Sequence, residues 1–426
     1  MIDLFDGLPW GWAVPLWIGF AVIVAMFLWT TLLFVRGRHA VRHAPDAPPD
    51  GADAFLWVFL VPALNEETTI RDSVDRLLGV EVPRRRIVVI DDGSDDRTPE
   101  ILAAVDHPDL VVLRRDQPHA QEGKAAALND AYRRLDAIVG DTPRDEVILC
   151  VVDADGRLHA DAPRYAAAQF ADPAVGGVQS LVRIYNRQHV LTWMQDLEFS
   201  VYGTLFQAGR NDWGTAGMGG NGQFNRLRAL DDVSDTVGPW RDRLTEDQDL
   251  GLRLIGAGWE GRQDLRCVVD QQGLPGLRKL LRQRTRWSQG NLQAIGLLGT
   301  VWRAPRGLAP RIEQVAYLLM PFWQALVGLS LLVGVILAVT GQAAFWDGGA
   351  TYELVYIYVL GFGGTIMGCV SARGWLRGLL AAQVYAFYSW LLWPVLIRST
   401  FRQITERRDW AKTEREALEP EASAAA

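Results

Sequence analysis

Cysteine is nearly missing from this chain. Three occur in 426 residues, Cys150, Cys267 and Cys369, too few and too dispersed for a disulfide framework or a CxxC zinc module. Histidine is scarce as well. Of six, only His39 and His43 are spaced like zinc ligands, and they lack the glutamate of a metalloprotease helix. They stand among arginines beside an apolar run, which suits contact with lipid headgroups. His107, His119, His159 and His189 are isolated and read as surface residues. A basic excess is absent: 43 Lys+Arg face 50 Asp+Glu, a net charge of −7, which argues against nucleic acid as the main partner. There is no Gly-x4-Gly-Lys-Ser/Thr loop and no Gly-x-Gly-x-x-Gly after the first apolar strand. With 20 Pro and 41 Gly, the chain is too poor in both for collagen or a disordered tract.

Four stretches also lack charge altogether: Gly7–Val35, Gln314–Trp346, Leu354–Ala372 and Gly378–Ile397. A helix crosses the hydrocarbon with roughly 20 apolar residues, and only a segment that satisfies its own backbone can do so. These runs predict an integral, multi-pass protein of the plasma membrane. The first run is too long for a signal peptide and has neither a basic leader nor a clear cleavage site, so it reads as a retained anchor. Arg36, Arg38, His39, Arg42 and His43 follow it and place residues 36 to about 310 in the cytosol. Three later spans would then leave the tail outside, although the tail carries Arg398, Arg402, Arg407, Arg408, Lys412 and Arg415. Either one run is re-entrant or split, or the tail departs from the rule.

The domains expected are an N-terminal anchor (1–44), a cytosolic catalytic domain (45–270), interfacial amphipathic helices (271–310), C-terminal membrane helices (311–400) and a polar tail (401–426). In the catalytic segment, strands are predicted at Phe55–Leu64, Arg86–Ile90, Leu110–Leu113 and Glu146–Val152. Helices are predicted after Asn65 to Leu78, from Thr98 (N-cap) and Pro99, over Lys124–Val139 and over Gln248–Ile255 with Thr245 as cap. This alternation specifies an α/β fold with a mainly parallel sheet, whose ligands sit beyond the carboxyl ends of the strands.

The acids fall at those ends. Ile87–Ile90 runs into Asp91-Asp92-Gly93-Ser94, where a carboxylate can accept from a ribose hydroxyl or a base N–H; an ordinary turn is the alternative. Cys150-Val-Val ends in Asp153-Ala154-Asp155, two carboxylates able to hold Mg²⁺ on a diphosphate. Thr245-Glu246-Asp247 opens a helix, where acids commonly complement the dipole; here one of them suits a general base. Gln283-Arg284-Thr285-Arg286-Trp287 offers guanidinium groups for phosphate and a flat indole for a sugar ring, or else an interfacial helix. Glu198, within Trp193–Gln207, is assigned to an amphipathic packing helix, with a place at the acceptor site as the alternative.

Together with Val61-Pro62-Ala-Leu-Asn65-Glu66-Glu67, Gly123-Lys124 and Gly219-Gly220-Asn221-Gly222, this set resembles the membrane-embedded family 2 glycosyltransferases, relatives of cellulose, chitin, hyaluronan and poly-N-acetylglucosamine synthases. The likeness covers roughly Phe55 to Trp302. It implies a GT-A (Rossmann-like) fold and inverting transfer from a UDP-sugar with Mg²⁺ or Mn²⁺. Pro62, Glu66, Asp91, Asp92, Lys124 and Asp153 would bind the nucleotide, and Asp155 the metal. Asp247 would be the base. Gln283, Arg286 and Trp287 would lie on a loop closing over the diphosphate, and Gly220, Asn221, Gly222, Glu246 and Trp287 would meet the acceptor. The glycine-rich segment departs from the Cys-Gly-Ser/Thr pattern of cellulose synthases. Inversion needs one base and no second catalytic acid, unlike glycoside hydrolysis.

Expected partners are the bilayer, a UDP-sugar and a polysaccharide or lipid acceptor, with room for accessory subunits. The leading expectation is extension of a β-linked polysaccharide at the cytosolic face, coupled to export through the chain's own spans. The alternative is addition of one or a few sugars to a membrane lipid. A non-enzymatic transporter would show internal repeats or charges within spans, and neither is visible.

Overall fold

The computed structural model describes residues 9–341 and 350–405; the end of the second apolar run and the polar tail past 405 lie outside the described residues. Eight strands form one sheet: β1 (Leu56–Ala63), β2 (Arg85–Asp91), β3 (Leu110–Arg114), β4 (Val147–Val151), β5 (Arg157–Leu158), β6 (Val175–Ile184), β7 (Gln223–Arg226) and β8 (Glu260–Gln271). Their order is β3-β2-β1-β4-β7-β6-β8-β5. The first four are parallel, as the sequence predicts, while β7 runs antiparallel between β4 and β6.

Both faces of the parallel half are covered, so its strands are apolar throughout rather than alternating. Trp57, Phe59 and Val61 point into one core with Ile87, Val89 and Cys150. Leu56, Val58 and Leu60 point into the other with Val88, Ile90 and Leu149. Burying such a run is worth roughly 1.5–3 kcal/mol per large side chain, which fixes the strand ends and hence the acids beyond them.

Local details differ from expectation. The helix after Asn65 begins only at Ile70. The helix expected over Lys124–Val139 breaks at Arg134 into Lys124–Arg133 and Leu135–Val139. Thr98 lies inside its helix, and its hydroxyl accepts the Glu66 N–H (2.8 Å) instead of capping.

Among the described residues, three helices are long and apolar enough to cross a membrane: Trp10–Arg42, Met320–Leu337 and the interrupted Trp375–Ile404. The first continues past its apolar part and docks on the catalytic domain. A side chain at Gly37 would strike the Thr204 carbonyl, and one at Gly209 would strike Leu33, the close backbone approach that small residues permit. Arg36 donates to the Gly209 carbonyl (3.2 Å) and lies over the Trp213 ring (4.0 Å). Arg36 thus ties this helix to the sheet domain.

Two apolar runs are split. Leu319 separates Leu308–Leu318 from the helix that starts at Met320, and Trp390-Leu391 separates Trp375–Ser389 from Leu392–Ile404. The last two helices bond to the catalytic domain through Tyr388–Glu198 (2.7 Å) and Ser399–Ser288 (2.8 Å).

Candidate active site

β2 ends in Asp91-Asp92, and both carboxylates are already engaged. Asp91, 1% exposed, accepts from the Ser94 N–H (3.0 Å) and from Arg114. Asp92 accepts from the Gln121 N–H (3.0 Å) and from Arg115. Burial lifts the Asp92 carboxyl above the usual range, against the pull of the Gln121 N–H and Arg115. The Asp91 side chain is enclosed and shapes the turn through these bonds. The two arginines were missed, although parallel register sets Arg114 opposite Asp91. Pro62, near the end of β1, pairs with Ile90. The Asn65-Glu66 turn beyond it is tied to the same loop, with the Asn65 N–H on Ser94 Oγ (2.9 Å) and the Asp95 N–H on the Asn65 side chain (2.9 Å).

Lys124 is the centre of the site. It opens its helix directly after Gly123, whose φ of 104° favours glycine. Its ammonium lies 2.6 Å from Asp153 Oδ1 and 3.8 Å from Glu246 Oε1. A Cβ on Gly220 would sit 2.8 Å from Asp247 Oδ2 and 3.7 Å from Lys124 Nζ. One cation therefore stands among carboxylates from two distant stretches. Burial alone would lower the Lys124 pKa, but Asp153 and Glu246 outweigh it and hold the ammonium charged. Asp247 keeps some access to solvent at the cleft wall, yet protein surrounds it on most sides. That burial, and next the charge on Glu246, push its carboxyl up to about 7 against Lys124, the Gln248 N–H and Arg286.

Asp247 is positioned from above by the helix Leu277–Ala294. Arg286 donates to the Leu244 carbonyl (3.1 Å), and the Leu244 N–H donates to Gln293 (3.2 Å). Gly290 lets the helix press on Thr245, where a Cβ would lie 2.4 Å from Oγ1. Thr245 occupies the cap position but makes no capping bond; its hydroxyl donates to Gln248 (3.3 Å).

β7 delivers the glycine-rich segment to the end of β4. The Gly222 N–H donates to the Val151 carbonyl (2.9 Å). Asn221 is buried; it accepts the Asp153 N–H (3.1 Å) and donates to Gln271 (3.1 Å). Its amide thereby braces the Asp153 turn. Gly222 is likewise enclosed, since a Cβ there would strike Val269 and Ser180. Gln179, which sequence reasoning missed, holds the segment from below through the Gly219 N–H (2.8 Å) and the Asn221 carbonyl (2.8 Å).

Asp155 is buried beyond β4 and accepts the Gln272 N–H (3.3 Å). No group of three or more His, Cys, Asp or Glu among the described residues could enclose a cation. Asp153 and Asp155, two residues apart beyond β4, are hard carboxylates of the kind that hold Mg²⁺ or Mn²⁺ together with diphosphate oxygens, and Asp153 is engaged by Lys124 (2.6 Å).

The Gln283–Trp287 signature lies inside a continuous helix, not on the expected loop, because no Gly or Pro interrupts it before Gly290. Gln283 is buried and accepts from Arg284 (2.7 Å). Trp287 meets Phe199 edge to face (6.0 Å) and carries the Arg284 guanidinium over its ring (4.2 Å).

A curled mixed sheet with acids at its carboxyl edge, one half-buried lysine among them and apolar helices alongside defines a GT-A type enzyme domain at a membrane. Residues 57–290 match the profile of the glycosyltransferase-like family 2, and the chain belongs to that family. It is 30% identical over 329 residues to the beta-monoglucosyldiacylglycerol synthase of Synechocystis sp., covering 73% of this chain and 65% of that one. It is 27% identical over 263 residues to the poly-beta-1,6-N-acetyl-D-glucosamine synthase of Staphylococcus aureus, covering 61% and 59%. The chain thus spans under two thirds of these relatives. In fold it matches the mannosyltransferase PcManGT from Pyrobaculum calidifontis, solved with GDP-Man and Mn²⁺, with a TM-score of 0.63, 20% identity, and coverage of 92% of this chain and 100% of that one.

Proposed function

We propose that this chain transfers a sugar from a UDP-sugar to a hydroxyl of a membrane-borne acceptor, with inversion, at the cytosolic membrane face. The observation that carries this is the Lys124 ammonium set between Asp153 and Glu246 and next to Asp247 and Gly220. Asp247 takes the acceptor's proton as its oxygen bonds to the anomeric carbon. The bond from that carbon to the β-phosphate oxygen breaks, and UDP leaves with the electron pair. A carboxyl raised toward neutrality is matched to that task. Lys124 and Arg286 bring positive charge to the departing diphosphate. Asp153 and Asp155 would hold the divalent cation, which when bound supplies further charge neutralisation. Asp92 and Glu66 line the nucleotide end, and Trp287 the acceptor end.

A lipid acceptor is favoured because the helix carrying Asp247 borders a partly apolar cavity through Gln248; the name of the Synechocystis relative agrees. The polymer reading is supported by the Gln283…Trp287 signature and by the Staphylococcus relative. The test is a screen of radiolabelled UDP-sugars with Mg²⁺ or Mn²⁺ and membrane lipid. Organic-soluble product supports the lipid acceptor and long ethanol-insoluble product the polymer; absence of UDP release with every donor refutes the assignment.

A further inference from the structure

Beside Gln248 and Trp287 lies a cavity of about 300 Å³, between the catalytic domain and the apolar helices. Its wall mixes polar and apolar side chains. On it Glu198 Oε2 accepts from both Arg284 (2.7 Å) and the Tyr388 hydroxyl (2.7 Å). Three helices, Val190–Val201, Leu277–Ala294 and Trp375–Ser389, therefore meet on one carboxylate oxygen. The wall also carries Leu280, Leu318, Met320, Leu392 and Val395. Glu198 thus both packs its helix and faces the cavity.

Three features identify the occupant. Glu198 and Arg284 are the only charged residues on the wall, and they pair with each other, so the cavity carries no net charge. An anionic headgroup would have to compete with Glu198 for Arg284, leaving a partly buried carboxylate without its partner. The volume suits a small headgroup and its first methylenes, at the lower end of ligand pockets. A multi-ring polymer would need a longer and more polar passage. Met320 on the wall opens a helix long and apolar enough to span a bilayer, which offers acyl chains an apolar surface beside the cavity.

We propose that this cavity is the acceptor site, that it takes the headgroup of an uncharged, hydroxyl-bearing membrane lipid, and that the Glu198–Arg284–Tyr388 cluster selects against anionic headgroups. The inference rests on the glycosyltransferase reading and deepens it. Gln248, which lines the cavity, is the neighbour of Asp247 on the same helix.

The experiment uses the full chain in mixed micelles with the UDP-sugar that supports turnover. Three acceptors are compared: dioleoylglycerol, dioleoylphosphatidylglycerol and soluble cellotetraose. The expected result is a preference for dioleoylglycerol over the anionic lipid of about tenfold or more. Glu198→Gln should shrink that preference by about tenfold, the effect of one uncompensated charge on a partly buried pair. If that variant does not fold, Leu392→Trp, which fills the cavity, carries the test by raising the KM for dioleoylglycerol about tenfold with the donor KM read alongside. Transfer to cellotetraose alone, or an unchanged lipid preference in a folded Glu198→Gln together with an unchanged lipid KM in Leu392→Trp, overturns the proposal. Direct UDP binding separates the two failures: a chain that binds no UDP sinks the enzyme reading, whereas one that binds UDP but ignores lipid sinks only this inference.

Discussion

Glu246→Gln isolates what sets the proton affinity of the proposed base. Asp247 is driven up to about 7 by burial first and by the Glu246 charge second, with Lys124 and Arg286 opposing. A unit charge on a neighbouring carboxylate, in an effective dielectric of about 20, raises such a group by on the order of one to two pK units. Removing the charge on Glu246 also frees Lys124, 3.8 Å away, to act more fully on Asp247. Both changes move the same way. The expected outcome is a rising limb of log(kcat/KM) against pH with its midpoint near 7 in the wild type and about one to two units lower in the variant. Activity should therefore persist at mildly acid pH where the wild type has lost it. The assay is initial-rate UDP release between pH 5 and 9 at fixed ionic strength, using kcat/KM because it reports the free enzyme. A midpoint that stays put, or moves up, refutes the account in which an ionised Asp247 is the base and Glu246 its like-charge neighbour.

Other consequences are direct. Asp247→Asn should abolish transfer while leaving UDP affinity within about threefold, as calorimetry with UDP would measure. The same change should stabilise the fold above pH 7 by about 1–3 kcal/mol, seen as a higher Tm at pH 8 than at pH 5 relative to wild type. The sign follows because a carboxyl with a raised folded pKa loses stability as pH climbs from its unfolded value to its folded one. Gly220→Ala, with φ at 75° and a Cβ 2.8 Å from Asp247 Oδ2, should cut kcat by about a hundredfold with secondary structure intact by circular dichroism. Glu313→Gln should destabilise the chain by about 3–5 kcal/mol in denaturant unfolding. Glu313 is the buried partner of Arg210 (2.8 Å), a guanidinium that is 1% exposed and also lies over Tyr317 (4.2 Å).

The parallel half of the sheet was legible because its residues are apolar on both faces, as Trp57 and Val58 illustrate. β6 and β8 were not, because buried polar residues interrupt them. Gln179 is spent on the Gly219–Asn221 backbone, and Asp264 on Gln169 (2.9 Å). Those positions look like surface until the partners are known, and the partners are far away in sequence. The breaks in the apolar runs were written in the chain but are easily passed over. Pro321 and Pro394 each stand within the first turn of the helix that follows a break, where proline is tolerated because its missing N–H has no partner to lose.

The candidate site was legible as residue types but not as a constellation. Asp153, Glu246 and Asp247 are acids in helix or strand termini, each with an ordinary explanation. What joins them is β7: its antiparallel insertion carries Gly220 back across the end of β4 and against Asp247, while Lys124 arrives from the helix on the other side. That lysine is the counter-charge for Asp153 and Glu246. When a diphosphate enters, the same ammonium has a second claimant. Loss of part of its hold on Asp153 and Glu246 would leave those carboxylates able to take up a cation. Donor and metal should therefore bind with positive coupling, each tightening the other, and Lys124→Met should abolish that coupling in calorimetric titrations of UDP with and without Mn²⁺ rather than merely weaken both.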